Sequence, residues 1–199
     1  MSVQVEMTAS KERLLAATID YVAQHGLGDV TLRRLAAAIG TSHRMLIYHF
    51  GSKEGLLIEV IRVVEQQQLD ALVELDVDGE LTEAELFRRM WKRLADPALW
   101  AQERLFFEMY GQALQGRGHS ARLLDGIVSS WVEPVGAKLR ATRGLTPAVA
   151  RADARLRLAV VRGLLLDLLA TGDRAGANRA IELFIERYAP PEASSGRKR

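Results

Sequence analysis

The sequence predicts an all-α protein of about nine helices, with an N-terminal three-helix unit of helix-turn-helix type and a larger helical body after it. Three observations lead there. Ala, Leu, Arg and Glu dominate the chain, and these residues favour helix. Apolar residues recur at helical spacing, while β-branched runs are short and do not alternate. Glycine, proline and Ser/Thr caps punctuate the apolar periods at intervals that suit helices of two to six turns.

In order, Ser10 caps a first helix carrying Leu14, Leu15, Thr18, Ile19 and Val22, and Gly26 stops it. Thr31 caps a second helix with Leu32, Leu35, Ala36 and Ile39 on one face, ended by Gly40. Ser42 caps a short third helix to about His49, and Ser52 caps a long fourth to about Leu75. Asp76 to Leu81 reads as a turn. Thr82 with Glu85 has the capping-box pattern that opens a fifth helix, which stops near Asp96. Pro97 starts a sixth, to about Gln115. A seventh is expected from about Ser120 to Arg143, bent at Pro134. Thr146 then Pro147 open an eighth, to Thr171, and Arg174 to Tyr188 is the ninth.

This gives a disordered 1–9, a helix-turn-helix domain at 10–52 whose connecting helix reaches about 75, a helical body at 53–190, and a disordered basic tail at 191–199. At 199 residues and 48% hydrophobic, the chain can bury a core without staples. It has no cysteine, which excludes disulfides and thiolate chemistry and suits a reducing cytoplasm. No secretory leader or spanning segment is expected, because Arg157, Arg162 and Asp167 interrupt the longest apolar run.

The net charge of +2 is a weak pointer to nucleic acid, but its distribution says more. Between Thr31 and Lys53 lie four basic residues, Arg33, Arg34, Arg44 and Lys53, and no acidic one. The same segment has the layout of two short helices around a Gly-containing turn, with Ala36, Ala37 and Ala38 permitting close approach. At about 100° per residue, Leu46 and Phe50 share the inner face of the third helix. Arg44, Met45 and Tyr48 share the outer one. Arginine pairs with guanine, and Met45 or Ile47 suits a thymine methyl. Tyr48, His49, Lys53 and the helix N-terminus at Thr31 suit phosphate.

These residues resemble the TetR family of bacterial regulators. The resemblance rests on Thr31-Leu-Arg-Arg-Leu-Ala, Ile39-Gly40, and Leu46-Ile-Tyr-His-Phe-Gly-Ser-Lys-Glu-Gly-Leu-Leu57, and it covers about residues 10 to 60. It implies a homodimer on a pseudo-palindromic operator in double-stranded DNA, and an all-α C-terminal domain for dimerisation and for a small-molecule effector that releases the DNA. It implies phosphate contacts at Thr31, Tyr48, His49 and Lys53, and base contacts at Arg33, Ser42, His43, Arg44 and Met45. The sequence departs from the family at Ile47, where many members carry an aromatic residue. An apolar base contact would then replace a hydrogen bond to phosphate.

In the body, a stripe of large residues runs through Met90, Trp91, Leu94, Trp100, Leu105, Phe106, Phe107, Met109 and Tyr110, with Trp131 later. Plain core is one reading. The other is an apolar ligand pocket lined by Trp91, Trp100, Phe106, Phe107, Tyr110 and Trp131, with Glu103, Arg104, Glu108 or Gln112 as polar determinants. Leu156, Val160, Gly163, Leu164 and Asp167, then Ile181, Phe184, Ile185 and Tyr188, recur at helical spacing. They are the expected dimer interface, a four-helix contact. The alternative is that they cover the subunit's own core.

Enzyme readings find little support. No phosphate-binding loop and no Gly-x-Ser-x-Gly elbow appears. His43 and His49 lie on different faces, and Glu103 and Glu108 have no histidine at metal spacing. No cofactor, metal or membrane partner is expected. The sequence therefore reads as a cytoplasmic, ligand-released DNA-binding repressor. A regulator controlled by a protein partner is the alternative, and a helical small-molecule binder or enzyme comes after that.

Overall fold

The computed structural model describes residues 2–25, 31–75, 81–116 and 123–188. Among them are nine α-helices and no strand: α1 (Ser2–His25), α2 (Leu32–Ala38), α3 (His43–Phe50), α4 (Lys53–Glu74), α5 (Glu83–Leu94), α6 (Trp100–Leu114), α7 (Ser129–Arg143), α8 (Pro147–Thr171) and α9 (Arg174–Tyr188). A 3₁₀ turn, Pro97–Leu99, precedes α6. The all-α expectation holds. No described helix is long and apolar enough to cross a membrane.

The helix starts read from Ser and Thr are where the structure puts them, because capping is a bond between residues three apart. The hydroxyls of Thr31, Ser42, Thr82 and Thr146 accept the backbone N–H of Arg34, Met45, Glu85 and Val149. At Thr82 the box is reciprocal: its own N–H donates to the Glu85 carboxylate at 2.9 Å.

Two starts differ. Helix α1 begins at Ser2 and not after Ser10, so 2–9 are helical where disorder was expected; no Gly or Pro occurs before His25 to halt the helix. Helix α7 begins at Ser129, nine residues later than Ser120. Gly126 sits at φ +80°, a left-handed conformation that a helix cannot pass through. Helix α7 does continue through Pro134, at the cost of one hydrogen bond. The expected stop at Gly26, the turn over Asp76 to Glu80, the segment from Ser120 and the basic tail lie outside the described residues.

The chain forms two compact units. One unit is 1–66 with 98–127, and the other is 67–97 with 128–199. Helix α4 contributes its first two-thirds to one unit and its end to the other. In the first, α6 packs on α1, burying Leu105, Phe106, Met109 and Ala113. In the second, α7 and α8 form the main contact, with α9 against α8 and α5. Its core holds Leu69, Met90, Leu94 and Trp131 in one cluster and Val132, Leu139, Ala150 and Ala154 in another.

A buried cation sits in the second unit. Arg157 on α8 is only 4% exposed. Its guanidinium donates to Asp153 at 3.0 Å and to the Tyr188 carbonyl at 3.1 Å, pairs with Glu83, and lies over the Phe87 ring. Burying such a charge is costly unless it is paired and hydrogen-bonded, as it is here.

Candidate nucleic-acid interface

In the first unit, α2 and α3 are both short, so tertiary anchoring must hold them. Helix α2 is pinned by Leu35 and Ala36, both 2% exposed. The chain then turns through Gly40 at φ +70°, and the Thr41 N–H donates to the Ala36 carbonyl. A Cβ at Gly40 would meet nothing within 4 Å, so backbone conformation and not space demands glycine there. Helix α3 is anchored by Leu46, fully buried, and Phe50. Lys11 of α1 pairs with Glu59 of α4 at 3.1 Å and lies over the Phe50 ring, closing the unit around that anchor.

The outer face of α3 is open. His43, Arg44, Met45, Ile47 and Tyr48 are all exposed, Tyr48 at 62%. The Leu46/Phe50 inner face derived from periodicity is the buried one. Thr31 and Arg33 are exposed at the start of α2, and Ser42 is exposed with its hydroxyl engaged as the α3 cap. His49 is only half-exposed. Its ring is edge-on to Tyr48, and its Nε2 is buried without a hydrogen-bond partner.

Lys53 is the first residue of α4, where its charge opposes the helix dipole. Among the described residues no acidic side chain pairs with it. A cation at a helix N-terminus with no carboxylate paired to it is suited to an external anion. The exposed surface of α2 and α3 thus combines three arginines, a tyrosine and apolar side chains, with Lys53 half-buried at the start of α4 and no carboxylate from Thr31 to Lys53. Such a surface can hold phosphates and touch base edges.

Periodicity under-weighted one residue. Ile47, 38% exposed, stands on the same open face as Arg44. Helical spacing puts Ile47 and His49 at opposite margins of the buried face, and only the structure shows Ile47 exposed and His49 half-buried.

The expected pocket residues divide between the units. Trp91 and Trp131 are buried in the second, Trp91 donating to Asn178 at 2.8 Å and Trp131 packed with Met90 and Leu94. Trp100, Phe106, Phe107 and Tyr110 lie on α6 in the first, with Phe106 ringed by Phe107 and Tyr110. Phe106 and Glu103 also border a cavity of about 10 Å³ with Val60, Ile61 and Val64, room for about one water. Arg104 lies over Trp100, while Glu108 and Gln112 bond each other at the surface. Among the described residues no group of three His, Asp or Glu side chains could hold a metal.

The expected dimer residues also divide. Ile181, Phe184 and Ile185 are buried inside their own unit, and Val160 and Leu164 are half-buried. Leu156, Gly163, Asp167 and Tyr188 are exposed. The open face of α8 is a different stripe, Val149, Ala152, Leu156, Ala159, Gly163, Leu166 and Ala170, spaced alternately three and four apart and exposed throughout. On α9, Leu183 is also open, at 47% exposure. The alternation was present in the sequence, but α8 is apolar on most sides, so spacing alone does not tell its inner stripe from its outer one.

Comparison with known proteins follows the same division. Residues 14–60 match the family model for bacterial regulatory proteins of the tetR family. The HTH-type transcriptional regulator RutR of Escherichia coli (strain K12) is 36% identical over 58 residues, 29% of this chain and 27% of that protein, so the match spans about a quarter of the relative. Solved structures match over nearly the whole chain. A member of the TetR family from Streptomyces coelicolor A3 (SCO1917) superposes with a TM-score of 0.62 at 26% identity, covering 90% of this chain and 98% of that one. The multidrug binding protein EbrR, complexed with imidazole, gives 0.64 at 24%, covering 94% and 93%.

Proposed function

We propose that the chain, whose residues 14–60 match the family model for bacterial regulatory proteins of the tetR family, is a sequence-specific DNA-binding transcriptional regulator that acts in the cytoplasm as a homodimer. The observation that carries this reading is the open face of α3, where an arginine, a tyrosine and two apolar side chains are exposed together on one short helix. Helix α3 enters the major groove. Arg44 takes a guanine edge, with Arg33, Ser42, His43 and Met45 beside it. Thr31, Tyr48, His49 and Lys53 hold phosphates on either side. The buried Nε2 of His49 makes it the weakest member of that set.

Two copies join through the exposed α8 stripe and Leu183, with Leu156 and Gly163 at its centre and Tyr188 at its margin. Small residues at four of its seven positions, Ala152, Ala159, Gly163 and Ala170, let two such helices approach closely, and the 3-4 spacing is that of a left-handed helix pair. The two recognition helices then meet half-sites about one DNA turn apart, which makes the operator a pseudo-palindrome.

The protein acts as a repressor that a small, largely apolar molecule releases from its operator, without catalysis. The α6 aromatic group of Trp100, Phe106, Phe107 and Tyr110 is the place for that molecule in this unit, and the multidrug-binding nature of one structural neighbour supports it.

Titration of the full chain against DNA from upstream of its own gene tests the proposal. Specific binding should exceed that to scrambled DNA by about a thousandfold or more and weaken steeply with salt. Equal affinity for both duplexes would rule out the reading.

A further inference from the structure

Ten large hydrophobic side chains are exposed among the described residues, and three of them, Met45, Ile47 and Tyr48, belong to the eight-residue helix α3. Isolated exposed apolar residues need no explanation, but this concentration on one short helix does. At about 100° per residue, the open arc of α3 runs in the order Ile47, Arg44, Tyr48, Met45. The cation and the phenol occupy its middle, and the two aliphatic side chains form its edges. Leu46 and Phe50 already anchor the helix from the other side, so neither Met45 nor Ile47 is needed to hold it.

Charge identifies the occupant. Arg44 lies within the arc, Arg33, Arg34 and Lys53 lie on the helices before and after it, and no acidic residue occurs from Thr31 to Lys53, which suits the polyanionic groove of DNA. In that groove the one apolar feature on a base edge is the C5-methyl of thymine. Ile47 has no donor or acceptor, so it cannot replace the hydrogen bond a tyrosine there would give to phosphate. Its γ and δ carbons gain only by covering another apolar group.

We propose that Ile47 and Met45 read thymine methyl groups, so that each half-site carries thymines on both flanks of the base pair met by Arg44. The inference rests on the DNA-binding reading above and gives the recognition helix a specificity that its hydrogen-bonding residues do not supply. Ile47 is a specificity-determining residue at one edge, and Met45 closes the other.

The test uses the full chain and the half-site enriched from random duplexes. Each thymine is replaced singly by deoxyuridine, which removes only the methyl, and affinity is read by fluorescence anisotropy at constant salt. Loss of one buried methyl should weaken binding about fourfold at each contacted position. Ile47→Ala should abolish the sensitivity at one position and leave the other, and Met45→Ala should do the reverse. Binding that is specific yet indifferent to every thymine-to-deoxyuridine change would overturn the inference and leave the regulator reading intact. Absence of sequence-specific binding by the unaltered protein would remove both and assign the apolar arc to a protein partner. The unaltered protein suffices for the deciding measurement, so the result does not depend on how the variants fold.

Discussion

Replacing Lys53 by alanine separates DNA contact from folding in one variant. Lys53 is the first residue of α4, with no acidic partner described and a charge that opposes the helix dipole. Each neutralised phosphate contributes a slope of about −0.9 to log K against log salt. A homodimer presents Lys53 twice, so the variant's slope should be shallower by about 1.8. Between 50 and 200 mM salt the deficit of Lys53→Ala should therefore shrink about twelvefold. Fluorescence anisotropy across that range measures it. Tyr48→Phe is the comparison: it removes a neutral hydrogen bond, so its deficit should stay nearly constant with salt. The fold should respond in the opposite direction. Relief of the dipole clash is about 0.3–1 kcal/mol, or about 1–4 °C in Tm for a chain of this size. An unchanged salt slope would show that Lys53 meets no phosphate. A lower Tm would show that its place on α4 is structural.

Three further outcomes are expected. Arg157→Ala removes one member of a buried ion cluster, a change that costs about 3–5 kcal/mol. Arg143, 3.2 Å from Asp153, remains to compensate the carboxylates, so the loss should fall near the lower end, about 6–12 °C in thermal unfolding. Arg157→Met should recover part of it by packing over Phe87. Ala159→Asp with Leu166→Asp should give a folded monomer by sedimentation with operator affinity lost, whereas Ile185→Ala should lower stability by about 2–5 kcal/mol by opening a cavity. The third concerns acid. The Thr82 hydroxyl, then its backbone N–H, hold the Glu85 carboxyl below the ordinary glutamate range. A pKa depressed in the folded state adds stability that is present above the unfolded value and is lost as pH falls through the folded one. Urea midpoints of the native chain and Thr82→Ala should therefore converge in acid and separate again above the ordinary glutamate range.

Local chemistry in this chain was legible before any tertiary structure. The caps at Thr31, Ser42, Thr82 and Thr146 are bonds three residues long, and the buried face of α3 follows from the helical repeat once Leu46 and Phe50 are taken as its anchors. The surface from Thr31 to Lys53 could therefore be assembled residue by residue, down to which side chains point outward. Even there, geometry qualified one assignment: His49 is tucked in at Nε2.

Tertiary structure decided what helical spacing leaves undetermined, namely which of two apolar faces is covered. On α8, Ala150, Ala154 and Leu165 are inside while Leu156, Ala159 and Leu166 are outside, although both rows are apolar and helically spaced. The buried row is the one that meets α7 and α9. On α9, Ile181, Phe184 and Ile185 were equally suited to a partner or to their own core, and they lie in their own core. Helix α6 joins α1 because its Leu105 and Met109 face needs cover, across about ninety residues of sequence. Hydrophobic burial is strong but undirected, so it says that a face will be covered and leaves the choice of cover to the assembled chain. Hydrogen-bonded caps and turns are short-range and directional, and the segment from Thr31 to Lys53 was readable because it is built from them.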